Sequence, residues 1–215
     1  MSSISPSPLA GEGRGGGGSH EGDLGWLTSS LASDASGGRG VFPPHVRPLR
    51  AGQHVAGRVS TATVSEDDNL FIRRATTLGP TEGTILVAGG AAGSQTSCMG
   101  GLVAAALAHV GFVAMVTDGL VRDSGELAGL PLQVWCRGTT PRAGGKDGPG
   151  SNGLPTECAG VAVGPGDLVI ADDDGVVVWP AGEVTELLTA AREKALRDVE
   201  AARRIESGGG LQGPL

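Results

Sequence analysis

Aromatic side chains are scarce in this sequence of 215 residues, which contains three Trp, three Phe and no Tyr. A hydrophobic core must therefore be built mainly from Val, Leu, Ile and Ala. Basic residues are also in the minority: 16 Lys and Arg against 23 Asp and Glu give a net charge of −7. A duplex-binding protein needs Lys and Arg to neutralise phosphates, so no nucleic-acid partner is expected.

The sequence also lacks the features of secreted, membrane-spanning and zinc-binding proteins. It has no run of about 18 apolar residues, and no basic cluster followed by an apolar stretch at its start. Its three cysteines have no CxxC spacing, which argues against a disulfide framework or a zinc knuckle. We therefore expect buried free thiols, a cytoplasmic location and no contact with a membrane.

Glycine is abundant, with 39 residues, and 11 of them lie in the first 24 and the last nine residues. Residues 1–24 are rich in Gly, Ser and Pro and are predicted to be disordered, as are residues 207–215. The first of these tails contains a GxGxxG at residues 11–16, but no strand precedes it, so it is not a dinucleotide fingerprint. The folded domain is predicted to span residues 25–206.

Within that domain, short apolar segments alternate with helical patterns. Strands are predicted at residues 55–64, 84–88, 113–117, 132–136, 161–163, 168–171 and 176–179. Helices are predicted at residues 25–38, 69–76, 102–109 and 182–206. The last helix carries an apolar stripe that could pack on its own sheet or on a neighbouring subunit. The mixture predicts a layered α/β or α+β domain.

The most informative polar residues follow the predicted strand at residues 113–117. The segment Asp118–Asp123 places Arg122 beside Asp123, at a strand end where binding sites are often built. Arg122 can grip a carboxylate with its planar guanidinium group, and Asp123 can hold a hard divalent cation. The alternative is a plain turn that carries a surface ion pair.

Two glycine-rich loops complete the candidate site. Residues 93–101 lead into the helix at Leu102, and consecutive backbone amides at a helix start can bind an anion. The long loop 138–153 carries Arg142 and Lys146, which either complete an anionic pocket or stay solvated. Amides, an Arg and a metal-holding Asp together predict a site for a small 2-oxo carboxylate.

The chain resembles the RraA-like family in an ordered series of motifs: GGLV (100–103), VTDGLVRD (116–123), GTTPR (138–142) and GVVVWP (175–180). The resemblance extends over about residues 27–206. This family contains class II pyruvate aldolases and the regulator of ribonuclease E activity. The resemblance implies a three-layer β/β/α fold like that of swivelling domains, assembled as homotrimers or hexamers with active sites at subunit interfaces.

The resemblance also implies a lyase that needs Mg²⁺ or Mn²⁺, cleaves a small 2-oxo acid to release pyruvate, and decarboxylates oxaloacetate through an enolate. Asp123 matches the metal-holding Asp and Arg122 matches the substrate-binding Arg. Gly100, Gly101, Leu102 and Val103 match the loop whose backbone binds the substrate carboxylate. Glu193 is the candidate for a catalytic acid that comes from a neighbouring subunit, or else it pairs with Arg197 on its own helix.

One departure from the family pattern concerns the position 21 residues before the Arg. The family aldolases carry an acidic residue there that orders metal-bound water, and this sequence has Gly101. Three hypotheses follow: a metal-dependent lyase, a non-catalytic RraA-like regulatory protein, or an enzyme for a bulkier substrate that uses the space left by Gly101.

Overall fold

The computed structural model describes residues 23–210. Its helices are α1 (Ser29–Ser36), α2 (Leu70–Leu78), α3 (Gly101–His109), α4 (Ser124–Ala128) and α5 (Val184–Glu206). The first seven strands are β1 (Arg47–Pro48), β2 (Val55–Val64), β3 (Ile85–Gly89), β4 (Ser97–Met99), β5 (Ala114–Thr117), β6 (Leu120–Val121) and β7 (Gln133–Cys136). The others are β8 (Gly138–Thr139), β9 (Gly150–Asn152), β10 (Thr156–Cys158), β11 (Val161–Val163), β12 (Leu168–Ala171) and β13 (Val176–Trp179).

The predicted tails lie mostly outside the described residues, which leave out residues 1–22 and 211–215. At the amino-terminal boundary, Leu24 is already buried, and it packs with Leu27 and Trp179. The ordered chain therefore includes Leu24, one residue earlier than the predicted start of the domain. At the other end α5 finishes at Glu206, the residue at which the sequence predicted the domain to end.

The long strand β2 joins the two β layers. Its first residues pair antiparallel with β12, in a register that places Arg58 opposite Leu168. From Val59 onward it pairs parallel with β3, beginning with Val59 opposite Ile85. The principal sheet has the order β1-β7-β5-β3-β2-β12-β13, with β9 also paired to β2. Because β2 changes partners along its length, the sheet curls and places β12 and β13 over the parallel strands.

Three groups of buried side chains hold the layers together. The first lies between the parallel strands and α2 to α4 and includes Ile72, Leu107 and Met115. The second lies between the two β layers, around Trp135. The third lies between the outer β layer and the helices α1 and α5, around Trp179. The predicted three-layer β/β/α fold is confirmed, and α1 and α5 form an additional helical layer on the outer face of the second β layer.

The structure shows what the first half of the apolar stripe on helix α5 packs against. Val184, Leu187, Leu188 and Ala191 are buried in the group around Trp179, so the amino-terminal half packs on its own sheet. Farther along the helix, the side chain of Leu196 is 56% exposed. The carboxyl-terminal half is therefore covered less well by its own chain.

The three cysteines are free and buried, as predicted. Burial raises the pKa of the Cys98 thiol to about 12 and that of the Cys158 thiol well above its ordinary value. The thiolate is the reactive form of cysteine, so these thiols serve as small apolar core residues. Among the described residues, no helix is long and apolar enough to cross a membrane.

Candidate functional site

A small parallel sheet brings the separate pieces of the predicted site together. Its strands are β4, β6 and β8, in that order, and Thr140 extends the pairing by donating its amide to the Val121 carbonyl at 2.9 Å. The strands end beside one another, so Gly100, Arg122 and Thr140 lie along one edge. The sequence predicted only loops for these strands, because segments of two or three residues carry no detectable period.

The start of α3 presents free backbone amides at this edge. The first helical hydrogen bond runs from the Ala104 amide to the Gly100 carbonyl at 3.0 Å. The Gly101 amide donates to Asp123 Oδ2 at 3.0 Å. The amides of Leu102 and Val103 donate to no acceptor within residues 23–210. The predicted pair of anion-binding amides is therefore available at a helix amino terminus.

Arg122 and Asp123 lie directly against these glycines. Asp123 has a left-handed backbone with φ 58° and ψ 39°, which is uncommon outside glycine and frequent at functional sites. Arg122 Nε lies 3.5 Å from Asp123 Oδ2, and both side chains are more than one-third exposed. A Cβ at position 100 would lie 2.8 Å from Arg122 Nε and 2.5 Å from Asp123 Oδ2. Only glycine at position 100 lets both side chains take these positions.

Glu126 supplies a second carboxylate that the sequence analysis missed. It lies in the first turn of α4, and its Oε2 fills the space where a side chain at position 101 would begin. Asp123 and Glu126 thus both lie against Gly101, Asp123 at its amide and Glu126 at the position that a Cβ would take. The signal that could have found Glu126 is its spacing of three residues from Asp123, which places both on one face when a helix starts there.

This finding corrects the inference drawn from Gly101. The missing acid at position 101 does not leave Asp123 as the sole carboxylate, because the Glu126 carboxylate occupies that space. The hypothesis of a pocket for a bulkier substrate stays a prediction, and it would require the exposed Glu126 side chain to move away from Gly101.

The two carboxylates fit the divalent cation that the resemblance implies. Within residues 23–210, no three His, Cys, Asp or Glu side chains lie close enough together to form a metal cage. Mg²⁺ does not need one, because it keeps several water ligands and is commonly bound by one or two carboxylates. Asp123 and Glu126, both exposed to solvent, meet that requirement.

The cationic side chains of the long loop form no hydrogen bond or ion pair with Asp123 or Glu126 in the part of the chain that the structure describes. Arg142 and Lys146 are both exposed. Arg142 contributes its backbone instead, since its carbonyl accepts the Ser97 amide at 2.8 Å and fixes the loop beside β4. Of the two interpretations of these side chains, the solvated one fits the structure.

Glu193 lies exposed on α5, and in the described part of the chain it forms no hydrogen bond or ion pair, including none to Arg197. Helix α5 packs against α1, whereas Asp123 contacts the start of α3. The role of Glu193 at the site of a neighbouring subunit stays a prediction.

Asp118, the first residue of the Asp118–Asp123 segment, has a structural role. Its side chain is 2% exposed. Its carboxylate accepts the amides of Ala91 at 2.9 Å, Ala159 at 3.1 Å and Gly90 at 3.3 Å. The carboxylate therefore joins the loops that follow β3, β5 and β10.

Replacing Asp118 with Ala is expected to lower the free energy of unfolding by about 3 kcal/mol, because buried amides would lose their acceptor. Urea unfolding followed by circular dichroism measures the change. Asp118→Asn keeps one carbonyl acceptor and should lose less. An Asp118→Ala protein as stable as the wild type would contradict this role.

Comparison with known proteins gives one family. Residues 28–178 match the family model described as RraA-like, Aldolase/RraA. A Halalkalibacterium halodurans protein provisionally named 4-hydroxy-4-methyl-2-oxoglutarate aldolase is 31% identical over 179 residues, 83% of this chain and 85% of that protein. A Burkholderia multivorans protein with the same provisional name is 34% identical over 144 residues, 67% of this chain and 87% of that one.

Solved structures agree with this fold. The RNA-processing inhibitor RraA from Thermus thermophilus is 30% identical, with a TM-score of 0.62 over 71% of this chain and 92% of that one. Streptomyces coelicolor RraAS2, described as an unusual member of the RNase ES inhibitor RraA family, is 28% identical. Its TM-score is 0.73 over 84% of this chain and 95% of that one.

Proposed function

The chain belongs to the RraA-like family, and from that premise we propose that it is a divalent-metal-dependent lyase that cleaves a small 2-oxo acid and releases pyruvate. The observation that carries the proposal is the meeting of the Asp123 and Glu126 carboxylates at Gly101, beside Arg122. A surface turn with an ordinary ion pair would not need two carboxylates and two free amides around one glycine pair.

The residues divide into a part that binds the substrate and a part that holds the metal. The amides of Leu102 and Val103 and the guanidinium group of Arg122 bind the carboxylate of the 2-oxo acid. Asp123 and Glu126 would hold Mg²⁺ or Mn²⁺, and the bound ion would supply positive charge beside the 2-oxo group of the substrate.

In retro-aldol cleavage, the C4 hydroxyl gives its proton to solvent and C4 becomes a carbonyl carbon. The bond between C3 and C4 breaks, and its electron pair forms the pyruvate enolate, which then takes up a proton at C3 to give pyruvate. In oxaloacetate decarboxylation, the bond to the departing carboxylate breaks and gives the same enolate. Arg122 stabilises the negative charge in both reactions because its guanidinium group lies beside the carboxylate position. Glu193 of another copy in a homotrimer or hexamer is proposed as the catalytic acid.

The direct test measures pyruvate release from oxaloacetate and from 4-hydroxy-4-methyl-2-oxoglutarate, coupled to lactate dehydrogenase. Release is expected with Mg²⁺ or Mn²⁺ and should stop when a chelator is added. Release that persists with chelator would contradict the metal requirement. No release of pyruvate from either substrate by folded protein would contradict the proposed reaction.

A regulatory role is the second candidate, because two similar solved structures are described as RraA proteins that inhibit RNA processing or an RNase. In that case the chain would bind a ribonuclease and cleave no 2-oxo acid. Binding of purified ribonuclease E by a catalytically inactive chain would favour this candidate. Metal-dependent pyruvate release without such binding would favour the lyase.

Glu126→Gln is expected to weaken Mn²⁺ binding and pyruvate release by about 10-fold to 100-fold. The change removes one negative charge with almost no change in shape. Glu186→Gln is the matched control, because Glu186 is an exposed acid in the first turn of α5. Mn²⁺ affinity by electron paramagnetic resonance and coupled pyruvate assays measure both effects.

A double variant tests whether Glu126 takes the place of an acid at position 101. Gly101→Glu alone would collide with the Glu126 carboxylate. Combining Gly101→Glu with Glu126→Ala, which removes the colliding atoms and leaves only the Cβ of residue 126 at 3.4 Å from the new Cβ, should recover part of the activity that Glu126→Ala loses. A Glu126→Gln protein with wild-type Mn²⁺ affinity would contradict the role of Glu126.

A further inference from the structure

We propose that Arg50 is a positioning residue for the metal-holding carboxylate of Glu126, to which it is linked through the backbone of α4. Arg50 lies on the connection between β1 and β2, 76 positions before Glu126 in the sequence. The inference rests on the proposed function, because it assigns Arg50 to the same site.

Helix α4 cannot hold Glu126 in place by itself. It has five residues and no side-chain cap at its start, and an isolated helix of that length is unstable in water. The Glu126 carboxylate forms no hydrogen bond or ion pair with another residue of the described chain. No partner within residues 23–210 holds this carboxylate, so its reach to Gly101 depends on where the backbone of α4 lies.

Two contacts fix that backbone. Leu127 is buried, with 2% of its surface exposed, and packs among the side chains below α3. At the far end, Arg50 Nη1 donates to the Ala128 carbonyl and Arg50 Nη2 donates to the Leu130 carbonyl at 3.4 Å. Leu127 sets the depth of the helix, and Arg50 satisfies carbonyl groups that a helix end leaves without partners.

Arg50 is well placed to act as a fixed anchor. The adjacent Leu49 donates its amide to the Val134 carbonyl in β7 at 2.8 Å, so the backbone beside Arg50 is tied to the edge of the principal sheet. The guanidinium group thus connects this edge to the end of α4. A planar group with several donors can reach two carbonyls at once, which a Lys side chain does less well.

The test compares Mn²⁺ affinity, measured by electron paramagnetic resonance, in the wild type, Arg50→Met, Arg50→Lys and Arg47→Met. Arg47 is the matched control, because it also donates to backbone carbonyls, those of Pro44 and Asp174, but none in α4. Arg50→Met is expected to weaken Mn²⁺ binding about 10-fold, Arg50→Lys to weaken it less, and Arg47→Met to leave it within about twofold.

Hydrogen exchange of the α4 amides provides a readout that does not depend on the metal. Exchange in α4 should accelerate in Arg50→Met and stay slow in Arg47→Met. If Arg50→Met fails to fold, Arg50→Lys supplies the comparison. An Arg50 variant that folds and binds Mn²⁺ as tightly as the wild type would overturn the positioning role. Absence of Mn²⁺ binding by the wild type would instead overturn the proposed function, and the positioning role with it.

Discussion

Asp123→Asn is expected to reduce metal-dependent pyruvate release by at least about 100-fold and to weaken Mn²⁺ binding in parallel. The substitution removes the charge of the carboxylate whose Oδ2 lies 3.0 Å from the Gly101 amide. Asn keeps an oxygen that can accept this amide, and it tolerates the left-handed backbone better than most residues. The fold should therefore survive while the metal site is lost.

The control for this experiment is Asp173→Asn. The Asp173 carboxylate is also exposed and also accepts a backbone amide, that of Gly52 at 2.9 Å, but it lies on the β12–β13 turn. Asp173→Asn should leave pyruvate release and Mn²⁺ affinity unchanged. An Asp123→Asn protein with full activity and full Mn²⁺ affinity would show that the metal is held elsewhere.

Arg122→Met is expected to lower kcat/KM for 2-oxo acids by about 100-fold to 1,000-fold, the loss typical of removing one group that stabilises developing negative charge. Unlike Asp123→Asn, it should change Mn²⁺ affinity by less than about threefold, because Arg122 is a cation and holds no metal. The Arg122 side chain extends over Gly100, so its loss removes a positive charge from beside the start of α3.

Two further variants separate charge from geometry at Arg122. Arg122→Lys keeps the positive charge but loses the planar pair of donors, and should recover only part of the activity. Arg74→Met is the matched control, since Arg74 is exposed and stacks on Phe71 in α2. Equal kcat/KM for Arg122→Met and the wild type would exclude Arg122 from substrate binding.

Asp123→Asn and Arg122→Met together test whether the metal and the substrate are bound by different residues of the site. If Asp123 holds the metal and Arg122 binds the substrate, only Asp123→Asn loses Mn²⁺ affinity, while both lose turnover. A regulatory protein without catalysis would show no such pattern, because neither the wild type nor the variants would release pyruvate.

The sequence by itself determined the elements that bury a continuous or periodic apolar face. Strand β2 begins and ends where the sequence predicted, at Val55 and Val64, and α5 begins within two residues of its predicted start and ends at Glu206 as predicted. Helix α5 is visible in the sequence because its apolar stripe repeats over many residues, and β2 is visible because the segment ends in an alternation of apolar and polar residues. Arg122 and Asp123 were also predicted from the sequence as candidate site residues, because polar residues directly follow a buried strand there.

Only the tertiary structure decided which distant residues meet at the site. The contact of Glu126 with Gly101 depends on how α3 and α4 pack, and no local pattern encodes that distance. The β4-β6-β8 sheet joins segments whose pairing is entirely non-local. Asp118 and Asp123 stand five positions apart in one motif, yet one is buried among backbone amides and the other is open to solvent. Local sequence specifies periodicity and residue chemistry, whereas the site depends on the packing of segments that are remote in the chain.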